Sequence, residues 1–234
     1  MNESRTALIE RSEVGAVTAY GEYRQSLRVD FWFSCAYCTM TECEGGGVRF
    51  TVDHYLPKSK RPELELVYDN LLYCCDRCNT YKGAFYEPLL ESRGYRLYRP
   101  DWDVPEDHFE AKVERIEPIS NIGEMTVEVL YLNRLGLRRV RDLRRRLYDS
   151  QRVVTSGLRA LRSTPLDRLG PATKAQYLEV FDDVKDEVKD LGERVEKLIR
   201  ELSRSPLLDE DPGARSRTKG RREYLQRIRA LVPE

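Results

Sequence analysis

The 234-residue sequence contains only two histidines, two tryptophans and three methionines. It has no net charge, because 40 acidic residues balance 40 basic ones. That balance excludes a uniformly basic, histone-like protein and by itself names no partner. No run approaches the roughly 20 consecutive apolar residues that a membrane-spanning helix needs. The opening MNESRTALIERSE is polar and carries acids, so it has the character of neither a signal peptide nor a transit peptide. A cytoplasmic, reducing setting is the expectation. In such a setting the six cysteines read as metal ligands before they read as disulfides. Internal repeats and long low-complexity tracts are missing too. What is present is 40% apolar content, enough for a packed core. The length suits one domain, or one domain with a helical extension. Arginine supplies 31 of the 40 basic residues and lysine 9. The guanidinium fork suits phosphate recognition, although a GC-rich genome produces the same excess.

Hydrophobic periodicity divides the chain into three regions. Residues 4–30 read as an N-terminal helix, with Leu8, Ile9, Val14, Val17, Tyr20, Tyr23 and Leu27 mostly three or four apart. Residues 31–118 read as the core: knuckle, strand (48–52, running into Asp53-His54), loop, short strand (71–73), knuckle, and a helix from Asn79 to about Tyr86. Further strand-like pieces, YRLY and FEAKVERI, are candidates to pair with each other. Residues 119–234 read as mostly helical. One helical pattern runs from Thr126 to about Leu161 with a break at Gly136. A strongly amphipathic helix covers 172–202, its apolar stripe expected on the core, the alternative being a partner helix. A linker over 203–220 and a last helix over 221–232 follow. The fold class is therefore α+β.

Two Cys-x-x-Cys pairs, Cys35/Cys38 and Cys75/Cys78, carry the strongest chemical signal. Each pair supplies two thiolates from one tight turn, and two pairs complete a tetrahedral zinc site. With all four positions filled by the protein, no place remains for water, so the zinc is expected to be structural. Cys74 could stand in for Cys75, but the two-residue spacing to Cys78 favours Cys75. Cys43 is expected to be a free thiol.

Between and after the knuckles lie Asp53, His54, Asn70, Asn79 and Lys82, which a structural zinc site does not need. Phosphodiester hydrolysis needs a base near pH 7, which neutral imidazole supplies, and a hard cation against the phosphate. Asp53 and Asn79 offer the oxygen ligands that Mg²⁺ or Mn²⁺ accepts. Lys82, one turn after Asn79, is expected to reach the same phosphate as a point charge.

The string Cys35-x-x-Cys38 … Asp53-His54-Tyr-Leu-Pro57 … Asn70-Leu71 … Cys75-x-x-Cys78-Asn79-x-x-Lys82-Gly83 resembles the zinc-knuckle branch of the HNH endonuclease family. The resemblance implies a ββα-metal fold gripping one divalent cation. It implies His54 as general base, Asp53 and Asn79 as metal ligands, and Asn70 as the residue that braces the loop. The usual final His is Asn79 here, an HNN variant. A second stretch, Asp107-His108-Phe109 … Leu130-Tyr-Leu-Asn133-Arg … Arg141, is similar to the tail of stand-alone bacterial HNH proteins. Some of those occur with ATPase partners in phage-defence operons.

Eight arginines fall within 134–152. Among them Arg138, Arg139, Arg144, Arg145 and Arg146 are candidate DNA-backbone contacts. A second basic cluster falls at 214–229. The competing account has these arginines pairing with the acidic stretch 179–196. The leading reading is a metal-dependent nuclease acting on DNA, with RNA left open. The competing readings are a zinc-stabilised DNA-binding module without catalysis and an interaction subunit, and self-association is compatible with each.

Overall fold

The structure, a computed structural model, describes residues 9–163, 170–203 and 214–230. Of the helix expected over 4–30, residues 4–8 lie outside that description. The rest is helical only from residue 20, where a 3-10 turn, Tyr20–Tyr23, leads into α1, Arg24–Asp30. Residues 9–19 form an irregular strap instead. Its Ile9, Val14 and Val17 still pack on the core, so the apolar spacing was real but served a different backbone. The polar residues explain the difference. Arg11 donates to the main-chain oxygens of Tyr68 and Leu71, and Ser12 donates to Asp30. The Glu22 carboxylate accepts from the Thr18 and Ala19 amides at 3.2 and 2.8 Å, which starts the helix there and no earlier.

After the first knuckle comes one turn of helix, α2 (Glu42–Gly45), closed by a Thr41–Glu44 capping box. Strand β1 is Phe50–His54 and β2 is Leu71–Cys75. They pair antiparallel with Asp53 opposite Leu72 and His54 opposite Leu71. The strand thus begins two residues later than expected and includes Asp53 and His54. The delay comes from the glycine turn, in which the Val48 amide still bonds the Gly45 carbonyl at 3.0 Å. Helix α3, Asp76–Lys82, follows β2 directly, three residues before its expected start. It stops at Gly83, whose φ of +54° favours glycine. This β-hairpin and helix form the expected ββα unit. Its strands are nearly all buried, with α1 and α3 packed against them.

A short helix, α4 (Pro88–Glu91), leads to the YRLY segment, which forms no strand. Two arginines fold it into a loop. Arg96 makes a bidentate pair with Asp103 at 2.7 and 2.6 Å, and Arg99 pairs with Asp101 while its guanidinium lies 3.7 Å from the Trp102 ring centroid. The FEAKVERI segment pairs with itself, as β3 (Phe109–Lys112) and β4 (Arg115–Pro118). Helix α5, Asn121–Leu130, is capped by Ser120. Gly123 is needed there, because a Cβ would lie 2.1 Å from the His108 carbonyl oxygen.

The break expected at Gly136 comes at Tyr131. Its φ of +48° ends α5, and the Val127 carbonyl accepts from both the Tyr131 and Leu132 amides. Gly136 lies inside the first turn of α6, Leu135–Ser163. Helix α7, Pro171–Ser203, matches its expected span. It runs antiparallel to α6, with Arg194 bonded to Ser150 at 2.9 Å and Gly157 pressed against Val184. Its main packing partner is α6 rather than the core, and Leu178, Phe181 and Val188 are exposed. Helix α8, Ala214–Ala230, takes in the end of the expected linker, of which 204–213 lie outside the described residues. It packs on α5, burying Tyr224 and Ile228, and its Arg221 donates to the Tyr81 carbonyl in α3. Among the described residues no helix is long and apolar enough to cross a membrane.

Candidate active site

Strand alternation sorts the cysteines. Cys75 faces the first knuckle, while Cys74 points to the other side, toward Asp53 and Lys82. The sulfurs of Cys35, Cys38, Cys75 and Cys78 lie within 4.8 Å of one another, all buried. Cys38 and Cys75 are 3.9 Å apart. Four sulfurs around a zinc ion at ~2.3 Å would be about 3.8 Å apart, so the tetrad could hold one as it stands. Burial pushes the Cys35 thiol well up, a penalty that a coordinated cation reverses. Cys43 is exposed and free.

One arginine serves this cluster directly, a role the sequence did not suggest. Arg134, buried between α5 and α6, donates to the Cys78 sulfur at 3.5 Å and to the Leu130 carbonyl at 3.0 Å. A tetrathiolate zinc centre carries net negative charge, and a buried guanidinium offsets part of it.

On β1, Asp53 and His54 point to opposite sides. The His54 residue is 8% exposed, and its Nε2 lies 3.0 Å from the Glu65 carbonyl oxygen. That acceptor selects the tautomer with hydrogen on Nε2, leaving the lone pair on Nδ1. The Tyr20 ring meets the imidazole edge-on at 4.8 Å. Burial lowers the His54 pKa from its ordinary 6.5, with Lys58 adding to the effect and the Glu65 carbonyl opposing it. Lys58 itself is exposed, paired with Glu65 at 3.0 Å and lying over the Tyr20 ring.

Asn70 braces this loop. Its amide oxygen accepts from the Leu56 amide at 2.9 Å, and its nitrogen donates to the Leu56 and Leu64 carbonyls at 3.0 and 3.3 Å. Asp53 is enclosed on the other side, where Tyr37 donates to Oδ2 at 2.6 Å and Lys82 to Oδ1 at 3.1 Å. Burial and the Asp53 charge push the Tyr37 hydroxyl well up, so it remains a donor. Asn79 is half-exposed on α3, one turn before Lys82. Tyr37 and the Glu65 carbonyl were missed in the sequence. Nothing in local spacing marks either one, since both are recruited by the tertiary fold.

The basic stretch 134–152 is divided. Arg138 pairs with Glu114 at 2.7 Å, and Arg144 grips Glu44 and the Thr39 carbonyl. Arg145 and Arg146 are exposed and share Asp142 within α6, and Arg139 and Arg152 are exposed as well. Among the described residues the ion pairs of these arginines run to Glu114, Glu44, Asp142 and Asp149, and none runs to the acidic stretch of α7. Substituting Arg144 by Ala should lower stability by about 1–2 kcal/mol, since it removes a bidentate contact between α6 and the knuckle. Neutralising Arg139, Arg145 and Arg146 together should change stability by less. Thermal or denaturant unfolding of the two variants checks the order.

The fold and site together define a ββα domain with a four-thiol centre and a histidine at the end of its first strand. Residues 35–85 match the HNH endonuclease family model, so the chain carries an HNH endonuclease domain over that segment. The chain is also similar to the Septu protein PtuB of Bacillus thuringiensis. The two are 33% identical over 103 residues, which cover 43% of this chain and 37% of that protein. The matched region is thus little more than a third of the relative's length. No solved structure matches the chain.

Proposed function

We propose that the protein is a metal-dependent endonuclease that hydrolyses phosphodiester bonds in DNA, with His54 as general base. The observation that carries this reading is the orientation of His54. Its Nε2 is tied to the Glu65 carbonyl and its loop is braced by Asn70, which leaves Nδ1 to take a proton from water. The oxygen of that water then bonds to phosphorus as the bond to the leaving oxygen breaks. A zinc ion on Cys35, Cys38, Cys75 and Cys78 would hold the two ends of the unit together without touching substrate. Asp53 and Asn79 have the hard oxygen donors that a catalytic Mg²⁺ or Mn²⁺ requires, and when bound it would neutralise charge developing on the phosphate. Lys58 is an exposed cation on the His54 side and is suited to a neighbouring phosphate. Arg139, Arg145, Arg146 and Arg152 are suited to the duplex backbone farther away.

The testing experiment is plasmid cleavage with and without Mg²⁺ or Mn²⁺, followed across pH. Protonating Nδ1 removes the base, and burial lowers the pKa of His54. Activity should therefore fall on the acid side with a midpoint below 6.5 and level off above it. No metal-dependent cleavage, or a midpoint well above that value, would count against the assignment.

A second feature supports action within an assembly. The α6–α7 hairpin exposes Leu158, Phe181 and Val188, and apolar faces of this kind commonly meet protein. Similarity to the Septu protein PtuB and resemblance to HNH proteins of phage-defence operons favour a defence role with an ATPase partner.

A further inference from the structure

Lys82 lies too deep for a phosphate contact. Its side chain is 0% exposed. The ammonium donates to Asp53 Oδ1 at 3.1 Å and to the His54 main-chain oxygen at 2.6 Å. Tyr37 completes the group by donating to Asp53 Oδ2 at 2.6 Å. A buried ammonium persists only when paired and hydrogen-bonded, and this one is both. The carboxylate that the nuclease reading assigns to a divalent cation already holds a cation supplied by the chain.

We propose that Lys82 is a built-in counter-ion that occupies Asp53, and that a divalent cation binds Asp53 only when the ammonium leaves the carboxylate. The proposal rests on the nuclease reading in one respect, that a cation goes to Asp53. A Mg²⁺ ion about 2.1 Å from a carboxylate oxygen would lie on the order of 5 Å from the ammonium where it now sits. Like charges that close in a dry site repel strongly. The flexible four-carbon stem of lysine provides the means to move. Gly83, directly after it at φ +54°, ends the helix and leaves Lys82 in its last turn. The consequence is restraint. Without nucleic acid the site is satisfied internally and binds cation weakly. A substrate phosphate, by adding ligands to the cation, tips the exchange. Lys82 is on this account a positioning residue for Asp53 and the His54 main chain.

The test uses the 234-residue chain loaded with zinc, and Mn²⁺ alone. Lys82→Gln keeps a donor and removes the charge. Calorimetry or the electron paramagnetic resonance of free Mn²⁺ should show binding at least about tenfold tighter than in the wild type. Equal or weaker affinity in a folded variant, or no Mn²⁺ binding by either protein, overturns the proposal. If the variant does not fold, the wild type decides. With a non-cleavable DNA duplex bound to the wild type, the ¹⁵N signal of the Lys82 ammonium should lose its protection from exchange at the Mg²⁺ concentration that supports cleavage. A signal unchanged there overturns the proposal. The nuclease reading fails separately, through a His54→Ala variant that still cleaves DNA.

Discussion

Replacing His54 with Ala should lower plasmid cleavage by roughly 10²–10⁴-fold while DNA affinity stays nearly constant. A general base at His54 would contribute mainly in the transition state, so its loss would appear in kcat rather than in binding. The fold should survive, because the side chain gives up one hydrogen bond, to the Glu65 carbonyl, and an edge contact with Tyr20. Zinc content should be unaltered, since His54 lies outside the thiol cluster. Asn70→Ala should also lose activity, but with a looser loop, because Leu56 and Leu64 lose their side-chain partner. The decisive measurement is single-turnover cleavage beside equilibrium DNA binding for the same preparation. Wild-type cleavage by the alanine variant would end the assignment of the base.

The second large effect concerns Cys75. Its replacement by Ser should release zinc and unfold the ββα unit rather than merely loosen it. Structural zinc sites contribute on the order of 10–16 kcal/mol in small zinc-finger peptides at neutral pH. Whole domains are stable by only about 5–15 kcal/mol. Cys74 provides the control, because it neighbours Cys75 in sequence but faces Asp53 instead of the other three sulfurs. Cys74→Ala should keep one zinc per chain. Metal analysis and near-ultraviolet circular dichroism of both variants give the answer. A zinc-free Cys75→Ser protein with native tertiary signals would remove the structural role, and zinc loss in Cys74→Ala would reassign the ligands.

The parts of this protein that spacing controls were legible in the sequence. Cysteine pairs two residues apart announce a four-thiol cluster, and the sulfurs do come together. The amphipathic helix α7 was equally plain, because 33 residues give the period time to show. Other features depended on contacts far apart in sequence. The strap 9–19 has helical apolar spacing, yet Arg11 is committed to main-chain oxygens about 60 residues away. The YRLY segment reads as a strand until Arg96 and Arg99 find Asp103 and Asp101. Tyr131 ends a helix in a conformation that usually calls for glycine, with its ring edge-on to Tyr81 at 5.0 Å. The basic stretch looked uniform in sequence, but Arg134, Arg138 and Arg144 are committed to Cys78, Glu114 and Glu44.

The packing of α8 on α5 and its reach to the Tyr81 carbonyl have a temporal meaning. The thiol cluster closes a loop of about 40 residues early in the chain, so it can assemble soon after residue 85 leaves the ribosome. The contact of Arg221 with the Tyr81 carbonyl spans 140 residues, and that of Arg229 with Glu87 spans 142. Neither can form until residues 221 and 229 have been made. Through translation, therefore, the surface that Tyr224 and Ile228 later cover stays open. A nascent chain stalled before residue 214 should present that bare apolar patch to chaperones, beside a domain already clipped shut.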